Sequence, residues 1–175
     1  MMLWRHPLPT IWLISDARND AALEGALRHL PRGSGFIYRH YHLAAGERRA
    51  RFEALARLAR ARGICVVLAG GMALARAWGA EGAYGAAGVI GPGGPGLRLA
   101  TVHGLREMAR ARRADAVLLS PVFPTRSHPG GKVLGPVRFR VMAGRSCVPV
   151  IALGGMDARR GRGLRWAAID GLSRG

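Results

Sequence analysis

A compact (β/α)8 TIM barrel lacking its last helix is the fold this sequence predicts, on three observations. Short apolar runs alternate with longer amphipathic segments along the chain, which argues for a parallel sheet with helices outside. Eight such runs can be counted, and eight favours closure into a barrel over an open sheet. The 175 residues suit a single domain spanning 1–175, small for a barrel, with no room for a helix after strand eight. The outer side of strand eight then needs another cover, and a partner subunit in a homo-oligomer is one candidate. An open doubly wound sheet is the runner-up.

The elements follow in order. Thr10–Ser15 reads as a buried strand, with a helix from Asn19 to Leu30, capped by Asn19 or Asp20 and stopped by Pro31. Gly35–Tyr38 is strand two. The helix from Ala45 to Arg62 places Phe52, Leu55, Ala56 and Ala59 on one face and arginines on much of the rest, and Gly63 closes it. Ile64–Leu68 is strand three, Met72–Trp78 a short helix, and Gly82–Ala86 a weak strand. Gly88–Gly96 reads as loop throughout. Leu97–Val102 is strand five, followed by a helix over Leu105–Arg113 with Leu105, Met108 and Ala109 inward. Ala116–Ser120 is all but wholly apolar, as suits a strand covered on both faces. A loop from Pro121 to Gly135 leads into a helix ending near Gly144. Val148–Leu153 is strand seven, Arg159–Trp166 a helix, and Ala167–Ile169 strand eight.

Composition narrows the function classes. Basic residues outnumber acidic ones 27 to 10, for a formal net charge of +17, and only Lys132 among the 27 is lysine. Arginine spread along helical faces in an Ala- and Gly-rich chain reads as a solvated exterior, so a nucleic-acid partner is the weakest of the readings kept here. With 49% apolar residues the chain can bury a real core. No apolar stretch reaches 18 residues, so nothing predicts a membrane-spanning helix. Residues 1–15 make a poor signal peptide, and Cys65 and Cys147, each in an apolar run, read as reduced core residues of a cytoplasmic protein.

In a barrel the chemistry sits at the C-terminal ends of the strands. Gly154-Gly155 follows strand seven and Asp170-Gly171 follows strand eight, where backbone N–H groups commonly hold a phosphate. A tight turn explains the paired glycines equally well. The loop after strand six, Ser120-Pro-Val-Phe-Pro-Thr-Arg-Ser-His-Pro-Gly130, says more. Hydroxyls at Thr125 and Ser127, the cation Arg126 and the titratable His128 suit a phosphate or pyrophosphate when they converge. Asp16 and Asp170 end neighbouring strands of a closed ring, where two carboxylates would raise one another's pKa or bind a cation. The simpler reading has Asp16 capping a helix and Asp170 paired with an arginine. His6, His29, His40 and His42 lack metal-ligand spacing and read as surface or packing residues. His103, at a strand end, reads as supporting the site rather than reacting.

The strand-six loop, together with Val148-Pro-Val-Ile-Ala-Leu-Gly-Gly-Met156, resembles the thiamine phosphate synthase/TenI family. Ile11–Asp16 is similar to that family's first strand, Tyr38-Arg39 falls at its strand-two arginine, and Thr101–Ala116 is similar to its strand-five region. The likeness is strongest from Thr101 to Met156. It implies a (β/α)8 barrel of thiamine biosynthesis that couples hydroxymethylpyrimidine diphosphate to thiazole phosphate, releasing pyrophosphate. TenI-type members instead isomerise a thiazole carboxylate phosphate. It further implies that Thr125 and Ser127 meet the thiazole phosphate, that Gly154 and Gly155 cradle it, and that Arg39 meets the diphosphate. Thr101 falls where the family has a serine near the pyrophosphate. Arg39 and His128 are the candidate catalytic residues, and with Arg126 they would stand in part for the missing metal and lysine in neutralising the leaving pyrophosphate.

The departures from the family pattern are as informative. Magnesium is expected for the family, yet its Asn-Asp after strand three is replaced by Ala69-Gly70-Gly71. Its second aspartate, after strand four, has no counterpart in Ala86–Val89. A magnesium site needs hard oxygen ligands and usually a carboxylate, so no metal ligand is assigned. Tyr41 and His128 stand at two family lysines, Asp170 at a phosphate-binding serine, and Pro121 at the histidine of the tautomerase reaction. The expected partner is a phosphorylated small molecule, either turned over or simply bound.

Overall fold

The computed structural model describes residues 7–91, 95–126 and 129–172. Within them all eight strands form: β1 (Ile11–Ile14), β2 (Gly35–Tyr38), β3 (Cys65–Ala69), β4 (Gly82–Gly85), β5 (Leu97–Val102), β6 (Ala116–Leu119), β7 (Val150–Leu153) and β8 (Arg165–Ala168). They pair in chain order and in parallel, and β8 returns to β1 through Ile11 opposite Trp166 and Leu13 opposite Ala168. The sheet is thus a closed barrel, not an open one.

Side chains alternate as a closed sheet requires. Trp12 and Ile14 fill the barrel interior, together with Ile37, Val67, Leu99 and Leu118, while Leu13, Phe36, Val66 and Val117 face the surrounding helices. Large and small residues share the interior. Gly35 lies opposite Trp12, and a Cβ there would meet the indole at 2.1 Å. The ring is wholly buried, and its Nε1 donates to the Pro9 carbonyl at 2.9 Å.

Six α-helices surround the described barrel: α1 (Leu23–His29), α2 (Ala45–Ala61), α3 (Met72–Ala77), α4 (Ala87–Ile90), α5 (Leu105–Arg110) and α6 (Gly135–Ala143). In α2 the expected residues Phe52, Leu55, Ala56 and Ala59 are the buried ones, and its exposed side carries an Arg49–Glu53 pair one turn apart at 3.0 Å. Gly63, at φ 69°, ends the run in a conformation that costs glycine little.

Several expectations are corrected. The first helix begins as a 3-10 turn over Ala17–Ala22, capped by Asp16 and not by Asn19 or Asp20. One helical turn, α4, runs from Ala87 into the stretch read as loop. Helix α5 is too short to carry an inward face through Leu105 and Ala109. Both are exposed, and Met108 with Ala111 does the packing. The segment before β8 is a series of turns, not a helix, because the place of a Gly161 side chain is taken by the Trp166 indole and Gly163 adopts φ 72°. Trp166 and Ala168 are buried within the chain itself, so the outer face of β8 needs no second subunit to cover it. Cys147 is exposed and Cys65 only partly buried, so neither is a core residue by full enclosure. Burial still pushes the Cys65 thiol up to about 12.

Beyond its strand pairing, the seam between β1 and β8 is bridged by the buried Asn19 amide. Asn19 Nδ2 donates to the Ile14 carbonyl at 2.9 Å and to the Ile169 carbonyl at 2.8 Å, while its Oδ1 accepts from the Asp16 N–H at 2.8 Å.

Candidate functional site

The C-terminal mouth of the barrel opens into a cavity of about 1140 Å³. Of the residues singled out from sequence, Arg39, Thr101, Thr125, Arg126, Gly154 and Gly155 all line it. They come from the end of β2, from β5, and from the loops after β6 and β7, so closing the ring is what brings them together. Ser127 and His128 lie outside the described residues.

Arg39 is held through its backbone. Its N–H donates to Ser15 Oγ at 2.8 Å, and its carbonyl accepts from Arg48 Nε at 2.8 Å. Arg48 also donates to the Ala69 carbonyl at 2.8 Å, tying the end of β2 to the end of β3. The Arg48 guanidinium lies over the rings of Tyr41 and Trp78, at 5.2 and 5.3 Å from their centroids. The Arg39 side chain is left facing the cavity, 5.8 Å from the Tyr41 ring.

Beneath Arg39 runs a network that sequence reading did not find. His40, 1% exposed and at φ 39°, places Nδ1 2.8 Å from Ser15 Oγ and Nε2 2.8 Å from Asp20 Oδ1, and stacks on Tyr38. Arg51 closes the network by binding both Asp20 and Glu24. Nothing in a lone His-Tyr-His stretch announces this, since the partners arrive from three different elements. Ser15 is fully buried and already accepts from Arg39, so the Ser–His–Asp order here supports the strand ends and offers no exposed nucleophile.

The charges of this network set an acid response. Burial lowers His40 more than the Asp20 carboxylate raises it. Burial would raise Asp20, but hydrogen bonds from His40 and Arg51 outweigh it, and the Arg51 hydrogen bond likewise holds Glu24 below the usual carboxylate range. A depressed histidine gives stability that is present above its unfolded pKa of about 6.5 and lost as pH falls. Depressed carboxylates lose theirs below about 4, in the same direction. Melting temperature is therefore expected to fall in two stages on acidification, from about 6.5 and again below about 4. His40→Asn, which tolerates the positive φ, should remove the first stage. If that variant still shows the decline near pH 6, His40 is not its source.

The glycines after β7 are placed by packing. A Cβ at Gly154 would come within 2.8 Å of Pro121, and one at Gly155 within 2.5 Å of the Pro124 carbonyl. The strand-six loop is laid directly on them, with Val122 N–H donating to the Leu153 carbonyl and Phe123 N–H to that of Gly154. This loop enters through a cis Ser120–Pro121 peptide. His103 Nδ1 lies 3.0 Å from the Ser120 carbonyl and 3.3 Å from its hydroxyl, in a supporting position.

Asp16 and Asp170 do not form a carboxylate pair of their own. Arg18 stands between them, 3.0 Å from Asp16 and 3.7 Å from Asp170. Burial would raise the Asp16 carboxyl, but the Arg18 hydrogen bonds hold it low. Asp170 thus faces the cavity with its charge already answered. Asp157, the other lining acid, is 4.0 Å from Arg160. Arg39, Arg126 and Lys132 also line the cavity, and none of the three has a carboxylate within 4.0 Å among the described residues.

Magnesium does not fit these residues. The ends of β3 and β4 present Ala69, Gly70, Gly71, Gly85 and Ala86, with no carboxylate. The acids of the mouth sit on the opposite side and are engaged by arginine. No cluster of three acid, histidine or cysteine side chains suited to a metal occurs among the described residues.

A closed ring of eight parallel strands with a cation-lined cavity at its C-terminal mouth defines a TIM-barrel protein of the kind that carries its site on strand-end loops. Residues 95–173 match a family model described as thiamine monophosphate synthase, of the TMP-TENI family. Among solved structures the chain is similar to a thiamine phosphate pyrophosphorylase from Pyrococcus furiosus, with a TM-score of 0.76 at 21% identity over 95% of this chain and 90% of that one. It is also similar to a thiamine phosphate pyrophosphorylase from Bacteroides thetaiotaomicron, with a TM-score of 0.57 at 16% identity over 92% and 82%. Citrate synthase SbnG shares the fold with a TM-score of 0.58 at 11% identity over 92% and 85%. No curated protein matches the chain in sequence. None of the described helices is long and apolar enough to cross a membrane.

Proposed function

We propose that the barrel binds a thiazole-phosphate-type phosphomonoester of thiamine biosynthesis, keeping the phosphate-acceptor side of a thiamine phosphate synthase site. The observation that carries this reading is the gathering of Thr125, Arg126, Gly154 and Gly155 at one edge of a single cavity, in which Arg39, Arg126 and Lys132 have no carboxylate within 4.0 Å among the described residues. The Thr125 and Ser127 hydroxyls donate to the phosphate oxygens, Arg126 supplies charge, and Arg18 neutralises Asp170 so that the anion can approach. Arg39 and Thr101 face the other substrate, hydroxymethylpyrimidine diphosphate, with His128 as the titratable group beside the leaving group. The carboxylate-free ends of β3 and β4 favour binding without turnover over the full coupling reaction.

Titration calorimetry with thiazole phosphate and with the unphosphorylated thiazole alcohol tests this. Two or more charge-assisted hydrogen bonds predict at least about a tenfold advantage for the phosphate, shrinking with added salt. Equal affinities would remove the phosphate site. An assay with both substrates and Mg2+ decides turnover, and product at a rate typical of such synthases would overturn the binding-only reading.

A further inference from the structure

The β2–β4 wall of the cavity differs in kind from the β6–β8 edge. Tyr84, in the middle of β4, points into the barrel, is 6% exposed and lines the cavity. Its hydroxyl has no hydrogen-bond partner among the described residues. The other buried polar groups nearby are satisfied: Tyr38 Oη donates to the Arg48 carbonyl at 2.9 Å, and Ser15, Asn19 and His40 each have partners. A buried hydroxyl left alone is costly, and this one belongs to a residue that lines the cavity. Burial pushes the Tyr84 phenol up to about 12 despite the opposing pull of Arg39, so it remains a donor at every physiological pH. A donor that shares a cavity wall with an unneutralised guanidinium favours an anionic oxygen.

The wall offers cations and donors where a metal-bound diphosphate would need carboxylates. Magnesium bound to a diphosphate cancels two of its negative charges and so weakens its attraction to Arg39, and no acid at β3 or β4 is there to receive the ion in return. Arg39, Arg126 and Lys132 instead supply three positive charges around one cavity.

We propose that the β2–β4 wall takes a diphosphate free of divalent cation, with the Tyr84 hydroxyl and the Arg39 guanidinium as its direct ligands, so that Mg2+ competes with the protein for the anion. This rests on the reading of the cavity as an anion site given above. Arg126 and Lys132 complete the counter-charge, and Tyr84 is the residue that selects the metal-free form.

The experiment is a calorimetric titration of the whole chain with inorganic pyrophosphate, in EDTA and in excess Mg2+ at matched ionic strength. Affinity is expected to be about tenfold or more weaker with Mg2+, the scale of one lost charge-assisted contact. Tyr84→Phe is expected to weaken pyrophosphate binding in EDTA about fivefold or more, as loss of one hydrogen bond to a charged group does. Its melting temperature should stay level or rise, because an unpartnered buried hydroxyl has been removed. A purely packing role for Tyr84 would leave the affinity unmoved. Mg2+ tightening the binding, or Tyr84→Phe binding as well as the parent, overturns the proposal. Thiazole phosphate titrated into the same samples separates the two readings. If it binds and pyrophosphate does not, only this inference falls; if pyrophosphate alone binds as described, only the phosphomonoester reading falls.

Discussion

Gly35→Ala is expected to cost the barrel about 3 kcal/mol, the upper end of what inserting one methyl into a packed core does. The new Cβ would sit 2.1 to 2.4 Å from three atoms of the Trp12 ring. Such a clash is mild when the obstacle is a flexible tip, but here it is a rigid, wholly buried indole anchored to the Pro9 carbonyl. Moving the ring breaks that hydrogen bond; moving β2 breaks its pairing with β1 and β3. Urea denaturation reads the loss directly, and an unchanged midpoint would show that the interior has slack. Trp12→Leu combined with Gly35→Ala should recover part of the loss, since it removes the ring atoms that collide.

Gly155→Ala is expected to weaken thiazole phosphate binding by at least about tenfold while costing the fold only about 1–2 kcal/mol, the price of one left-handed residue with a side chain. Gly155 sits at φ 60°, and its missing side chain leaves room for the Pro124 carbonyl at 2.5 Å and Phe123 Cβ at 2.8 Å. Adding a methyl lifts the strand-six loop at the residues that lead into Thr125 and Arg126. The barrel beneath keeps its pairing, so affinity and stability should part company. Calorimetry beside thermal melting separates them, and a variant that binds like the parent would mean the loop does not position the phosphate ligands.

How far sequence carried the structure depends on whether the signal was local. Strand β5 was legible to the residue, and α2 showed its buried face, because both are long enough for their periods to be read. The segment before β8 misled: Arg159–Trp166 read as a helix, while the deciding contact, Trp166 on Gly161, is one between residues across a turn. The strand-six loop and the Gly154-Gly155 turn were legible as a motif, and the packing role of the glycines was not. Their positive φ values serve the contact with Pro121 and Pro124, which only the folded loop reveals. Tyr84 escaped notice because it lies in the weakest strand, and His40 because its partners are remote in sequence.

The amide that fastens β1 to β8 also bears on chain entropy. Seven seams join strands that are neighbours in sequence, such as Trp12 with Gly35. The eighth joins the two ends of the sheet, and Asn19 reaches across 150 positions to Ile169. Closing so long a loop costs roughly 1.5 kcal/mol more than closing one between adjacent strands, because the penalty grows only with the logarithm of length. The Asn19 bond to Ile169, the one of the two that spans the seam, is worth about 1 kcal/mol and offsets much of that difference. One asparagine at the rim therefore compensates for much of the extra chain freedom lost when an open sheet becomes a ring.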